Sequence, residues 1–267
     1  MGVVNVTPDS FSDGGLYLDA QSAIAHGLDL ADQGAHILDI GGESTRPGAD
    51  PVDAPTELHR VIPVIAGLAE ALPSTPTPAQ IAIDTSKTAV AEKALCAGAT
   101  LVNDVTSLRA DPSMAGVVAA AAADCCLMHM RGAPRTMQQS PSYEDVVSEV
   151  KSFLEERLSF AVAEGIAEER ILLDPGIGFG KTPAHNLSLL RRLDEIVALG
   201  RPVVVGTSRK SFLAAIARAG DGRDDRLPGT IATNVLALER GATVFRVHDV
   251  APLAAALAVA AATLSPT

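Results

Sequence analysis

Short runs rich in β-branched residues alternate along this chain with longer stretches whose apolar positions recur at helical spacing. The runs are Val3–Val6, His36–Ile40, Ile81–Asp84, Thr100–Asn103, Cys125–His129, Ile171–Asp174, Val203–Gly206 and Thr243–Val247. Each is bounded by turn residues and apolar on both faces, the pattern of parallel strands covered from two sides. In the stretches between them, Ile24, Leu28 and Ala31 share one helical face, and so do Val147, Val150, Leu154, Leu158 and Ala161. Gly34, Gly98, Gly165, Gly200 and Gly241 each stand just before a strand, where glycine commonly stops a helix. Eight strands, each followed by a helical stretch, predict an α/β protein of the (β/α)8 TIM-barrel class, one domain over residues 1–267. An open doubly wound sheet is the competing arrangement, but it seldom needs eight near-equal units. The proline-rich segment Pro73–Pro78 reads as a loop on the barrel's bottom face.

Composition narrows the function. Hydrophobic residues make up 47% of the 267, enough for a large core, and aromatics only 3%, so that core is mostly Ala, Val, Leu and Ile. A net charge of −11 argues against a nucleic-acid surface and against anionic lipid, while leaving room for an anionic small substrate in a locally basic cleft. The three cysteines, Cys96, Cys125 and Cys126, make a poor disulfide framework and fit a reducing compartment. The Ala-rich tracts Ala115–Ala123 and Val250–Leu264 are too short or too weakly apolar to span a bilayer. The expectation is a cytoplasmic protein with no nucleic-acid or membrane partner.

The chemistry gathers where the strands end. In order, these ends carry Asn5 with Asp9 and Asp13; Asp39 before GGESTRPG; Asp84; Asn103 and Asp104; His129; Asp174; Gly206 before TSRKS; and Arg246, His248 and Asp249. In a barrel all of them point to the one face where active sites form. Any single Asp there has a duller reading as a helix N-cap, which suits Asp111 and Asp145. Asp84, Asn103 and Asp174 recur together and read better as one wall of acceptors for a flat ligand edge rich in N–H donors. Arg46, Arg209, Lys210, Arg246 and His248 supply donors that suit a phosphate. The pocket is therefore expected to hold an amino-heterocycle at depth and a phosphate group near its mouth. His129 and His248 also have a structural reading, and His26, His36, His59 and His185 read as surface or packing residues.

PGIGFGKT, Pro175–Thr182, is not a phosphate-binding P-loop, because Pro175 stands where its first glycine belongs. Zinc spacings such as HExxH and CxxC do not occur. Lys210 follows Arg209 at a strand end, which favours ligand binding over imine chemistry.

The segments NVTPDSFSDGG, DIGGESTRPGA, IDTSK, VNDVTSLR, LMHMRG, LDPGIGFGKT, VGTSRKSFL and RVHDV, in this order over essentially the whole chain, resemble the dihydropteroate synthases. That resemblance implies a homodimeric TIM barrel that joins 4-aminobenzoate to 6-hydroxymethyl-7,8-dihydropterin pyrophosphate and releases pyrophosphate, by a dissociative route through a pterin-methyl cation. It implies that Asp84, Asn103, Asp174 and Lys210 grip the pterin, with Met128, Phe179 and Gly206 as walls and Arg246 stacked along the ring. Asn5, Arg46, Arg246 and His248 are implied at the pyrophosphate, and Asn5 also at Mg2+. Phe11, Ser44, Thr45, Pro47, Lys210 and Ser211 are implied at the 4-aminobenzoate. Asp13 and Arg46, on the first two loops, are implied to close over the reactants and join Asp84, Lys210, Arg246 and His248 in catalysis. Two relatives compete: the pterin-binding barrels of corrinoid methyltransferases, which lack GGESTRPG and SRKSF, and a pterin-binding paralogue without synthase activity.

Overall fold

A computed structural model describes residues 1–7, 16–45, 48–74, 78–133, 135–217 and 226–265. Its strands are β1 Gly2–Asn5, β2 Ile37–Gly41, β3 Gln80–Asp84, β4 Leu101–Asp104, β5 Asp124–Met128, β6 Ile171–Asp174, β7 Val204–Val205 and β8 Val244–Phe245. The helices are α1 Leu16–Asp32, α2 Ala54–Ala71, α3 Thr88–Cys96, α4 Met114–Ala120, α5 Val146–Ala163, α6 Pro183–Arg191, α7 Asp194–Val197, α8 Ser211–Ala217, α9 Leu227–Glu239 and α10 Val250–Leu264. β1 to β6 pair in parallel in sequence order, and β7 pairs with β8. Single parallel bridges, Leu173 to Val203 and Gly2 to Val247, join these two sheets at both edges, so the eight strands follow one another round a ring.

The last two strands are shorter than the sequence pattern suggests. Val203 and Val247 form single bridges with Leu173 and Gly2 on their far sides, and the β7–β8 ladder itself holds only two residues of each strand. The helix-ending glycines all adopt positive φ, Gly98 most strongly at 117°. Asp53 and Asp145 cap α2 and α5 by accepting from Thr56 N at 2.9 Å and Ser148 N at 2.7 Å. Thr182 and His185 form a reciprocal capping box at α6, which gives His185 a structural role.

Two cores result from the twofold periodicity of the strands. Outward-facing residues such as Val4, Leu38, Ile83, Val102, Leu127 and Leu173 pack against the helices. Inward-facing residues build a second cluster from one residue per strand: Met1, Ile37, Ala82, Leu101, Cys126, Leu172, Val204 and Val244. This apolar plug closes the barrel from below.

Candidate active site

Two residues further along every strand, the side chains turn inward again, just above the plug. The residues reached are Val3, Asp39, Asp84, Asn103, Met128, Asp174, Gly206 and Arg246. The polar layer predicted from strand ends is thus a single interior tier, and Asp39, expected on this face but outside the acceptor wall of Asp84, Asn103 and Asp174, stands within it. Asp39 lies in the middle of ILDIG and is fully buried. Its Oδ2 accepts from Arg246 Nε at 2.6 Å and from Asn103 Nδ2 at 3.2 Å. Arg246 Nη2 donates to Asp84 Oδ2 at 2.8 Å. One guanidinium therefore bridges two buried carboxylates, a planar fork matched to them. The signal for Asp39 was present: a carboxylate inside an apolar strand, in phase with the interior positions.

This crowding sets the charges. Burial, then the like charge of Asp39, push the Asp84 carboxyl up to about 7, with Arg246 opposing. Asp84 is not a helix cap, since Lys87 occupies the N-cap position of α3. Burial also raises the Asp174 carboxyl, although Lys210 and the Gly176 N–H donating to Oδ1 at 2.7 Å oppose it. Arg246 itself is held above its ordinary value by its two carboxylates despite burial.

One side of the tier is apolar. Met128, Val105, Met130 and Met137 form a buried cluster with Phe179 packed against it. The Lys210 ammonium sits 4.7 Å from the centre of the Phe179 ring and donates to the Ile177 carbonyl. Burial lowers the Lys210 amine to about 8, against the pull of Asp174. Gly206 leaves open the floor between Lys210 and Arg246, since a Cβ there would lie 3.7 Å from each. Acceptors, an apolar wall and two cations thus face one cavity, as expected for a flat, donor-edged heterocycle.

At the mouth, His248 Nδ1 lies 3.0 Å from Ser208 Oγ, and Ser208 Oγ also accepts from His248 N at 3.2 Å. Ser208 is a further site residue not singled out from sequence. Asn5 ends β1 beside Gly41, Ser211 opens α8 next to Lys210, and Ser44 and Thr45 are half-buried in the loop after β2. Asp13, Phe11, Arg46 and Pro47, like Asp9, lie outside the described residues. Two early expectations change. Arg209 is not a free phosphate donor: it is mostly exposed and pairs with Asp249 through two bonds of 3.0 and 2.5 Å. His129 faces away from the cavity, because it follows inward-facing Met128; it packs edge-on against Phe153, and burial depresses its imidazole to about 2. Among the described residues no group of three or more His, Cys, Asp or Glu is placed to hold a metal.

A family model described as pterin binding enzyme matches residues 1–248. The chain belongs to the pterin-binding enzyme family. The dihydropteroate synthase of Escherichia coli (strain K12) is 44% identical over 265 residues, covering 99% of this chain and 91% of that protein. A Xanthomonas albilineans dihydropteroate synthase solved with 4-aminobenzoic acid matches at a TM-score of 0.89 and 45% identity, over 100% of this chain and 93% of that one. The same enzyme in complex with 7,8-dihydropteroate matches at 0.85 and 42% identity, over 100% and 94%.

In this member of the pterin-binding family the loop after β2 is tied down at its base. Glu43 Oε1 accepts from Val52 N at 3.1 Å, and Oε2 pairs with Lys87, which follows β3 at the N-cap of α3. Lys87 also pairs at 2.6 Å with Glu57, which is fully buried in the first turn of α2. A side chain at Gly42 would sit 3.0 Å from Glu57 Cγ and 2.8 Å from Val61, so glycine lets strand and helix approach. This clamp holds both ends of the loop that carries Ser44 and Thr45.

Proposed function

We propose that this chain is a dihydropteroate synthase, condensing 6-hydroxymethyl-7,8-dihydropterin pyrophosphate with 4-aminobenzoate to give 7,8-dihydropteroate and pyrophosphate in folate biosynthesis. The observation that carries the reading is the interior tier: Asp84, Asn103 and Asp174 accept where a pterin edge donates, and Lys210 and Arg246 stand beside them. The family membership and the relatives' bound 4-aminobenzoic acid and 7,8-dihydropteroate support it.

In this reading the apolar plug below and Met128 and Phe179 at the side keep water from the pterin ring. The C–O bond to pyrophosphate breaks with its electron pair leaving on the pyrophosphate oxygen. The buried carboxylates of Asp84 and Asp39 stabilise the pterin-methyl cation left behind. Arg246 and His248, with Asn5 and Arg46, balance the charge of the departing anion. The amine of 4-aminobenzoate then donates its lone pair to the methylene carbon, with its carboxylate toward Ser44, Thr45, Lys210 and Ser211, and its surplus proton passes to solvent. No nucleophile–base pair is required, and the interior tier offers none.

Mg2+ belongs to this reading as an ion that arrives with the pyrophosphate. A hard cation of this kind takes one or two protein oxygens and fills its shell from substrate phosphate and water. Asn5 offers one such oxygen, which fits the absence of a carboxylate cage among the described residues. Mg2+ would stabilise charge on the leaving group. We place the protein in the cytoplasm as a homodimer. Support comes from three free cysteines, from the lack of any described helix long and apolar enough to cross a membrane, and from apolar residues exposed on the last helices, Val259 at 70% and Leu236 at 47%.

The test is direct. The purified chain, given both substrates and Mg2+, is expected to form dihydropteroate and pyrophosphate in equal amounts by mass spectrometry. Pterin binding without product would leave a non-catalytic pterin-binding paralogue. Full activity in excess chelator would remove the metal from the account.

A further inference from the structure

The buried segment Gly176–Lys181 joins β6 to α6, and none of its peptide carbonyls from Gly176 to Gly180 is left to water alone. Gly176 O and Phe179 O accept from Lys181 Nζ at 2.9 and 3.0 Å. Ile177 O accepts from Lys210, Gly178 O from Gln138 Nε2 at 2.5 Å, and Gly180 O from Tyr143 Oη at 2.8 Å. Five consecutive carbonyls thus answer to four side chains, Gln138 and Tyr143 from the β5–α5 connection, Lys210 from the β7–α8 connection, and the segment's own last residue. Such a loop has no ladder to fix its peptide planes; a single turn bond, Phe179 N to Gly176 O at 3.0 Å, and these side chains do it instead.

Lys181 is the one that reaches the inside. It is 2% exposed, and its ammonium, with three N–H bonds, meets three close acceptors: the two carbonyls and His129 Nδ1 at 2.9 Å. His129 O lies further off at 3.4 Å. The backbone is pressed against β5 at the same place: a Cβ on Gly176, at φ 65°, would lie 1.9 Å from His129 O, and one on Gly180 2.4 Å from Arg131 O. The side of the loop away from Lys181 faces the pterin cavity, where Ile177 O holds Lys210 and Phe179 forms the wall.

We propose that Lys181 is a positioning residue for pterin binding, an internal N–H donor that orients the Gly176–Gly180 peptides so that Ile177 O and Phe179 hold Lys210 at the ring. This inference rests on the pterin-binding reading. Lys181 touches no substrate; it acts through the loop. Losing a buried donor to three acceptors leaves Phe179 O and His129 Nδ1 unpaired and Gly176 O with Phe179 N alone; the 176–177 and 179–180 peptides loosen, and the Ile177 O anchor of Lys210, next to the first of them, shifts.

Lys181→Met keeps the length and apolar stem without the donors. It is expected to weaken binding of 6-hydroxymethylpterin by about tenfold or more in calorimetry, while the KM for 4-aminobenzoate, whose carboxylate meets Lys210 but not the loop itself, rises by clearly less, about threefold at most. Lys181→Ala leaves a space bounded by two carbonyl oxygens and an imidazole nitrogen, which suits a small N–H cation. Ammonium is expected to recover part of its pterin affinity, and tetramethylammonium, with no N–H, none. Pterin affinity of Lys181→Met within about twofold of the parent, a matching rise in the 4-aminobenzoate KM, or no difference between the two added cations overturns the proposal. Should neither variant fold, Gln138→Leu and Tyr143→Phe each remove one outer donor to the same peptides. A roughly threefold loss of pterin affinity supports the role, and unchanged affinity in both overturns it. A parent protein that does not bind pterin overturns the functional reading instead.

Discussion

Asp39 and Asp84 stand on either side of one guanidinium, and that pairing sets how the site responds to pH. Both carboxylates are buried, and the like charge of Asp39 helps hold Asp84 near 7. The pterin edge requires Asp84 as an acceptor. Raising the pH through about 7 removes the proton and is expected to strengthen pterin binding. Asp39→Asn removes the like charge and leaves Arg246 to Asp84 alone. Both changes lower the Asp84 value, so this acidic limb moves to lower pH. Pterin affinity measured by calorimetry from pH 5.5 to 8 (a range of about two units around neutrality, where an unperturbed carboxylate would show nothing) checks this. A limb that stays in place in Asp39→Asn refutes the coupling. Asp84→Ala, in contrast, should lose pterin binding at every pH, by roughly a hundredfold, because the ligand's N–H groups are buried without an acceptor.

Among the elements, the β2–α2 connection shows how a polar network can be structural and functional at once. Glu57 is fully buried in α2, and Lys87 is its charged partner as well as that of Glu43. Lys87→Met strips both carboxylates at once. Breaking a buried pair by removing one partner is costly, so urea unfolding should show a loss of about 3 kcal/mol. Adding Glu57→Gln should return part of that loss, because the stranded charge goes with it. If Lys87→Met unfolds at the parent's urea midpoint, the clamp contributes nothing. The sequence pattern located the loop through GGESTRPG but not the clamp. Glu43, Glu57 and Lys87 are 14 and 30 residues apart, and nothing in their spacing says that one strand end, one helix start and one loop base meet.

At the level of the whole molecule, the barrel presents its polar tier at one end and buries a plug of eight inward side chains beneath it. α9 and α10 close the ring, and their outer faces carry Leu236, Val259 and Leu264, with Ile216 on neighbouring α8. Apolar residues in this number on adjacent helices are expected at a subunit interface. Sedimentation velocity should find the parent at twice the 27.4 kDa chain mass. The double variant Leu236→Glu with Val259→Glu should sediment as a monomer and still bind pterin, since neither residue lines the cavity. A parent that is monomeric at micromolar concentration removes the dimer.

The linear pattern specified the strands, their parallel order, the glycine helix stops and the identity of most polar residues at the strand ends. These follow from local causes, namely side-chain alternation, helical period and the backbone freedom of glycine, and such causes are written in neighbouring residues. β7 and β8 are shorter than the pattern suggests because their outer residues Val203 and Val247 bridge other strands, at Leu173 and Gly2, 30 and 245 positions away. Asp39, Ser208 and Lys181 gained their roles, and Arg209 and His129 lost theirs, only on closure of the ring. Which way a strand-end side chain turns, and which buried charge it meets there, depends on contacts such as Arg246 to Asp39, 207 residues apart, that no local rule encodes.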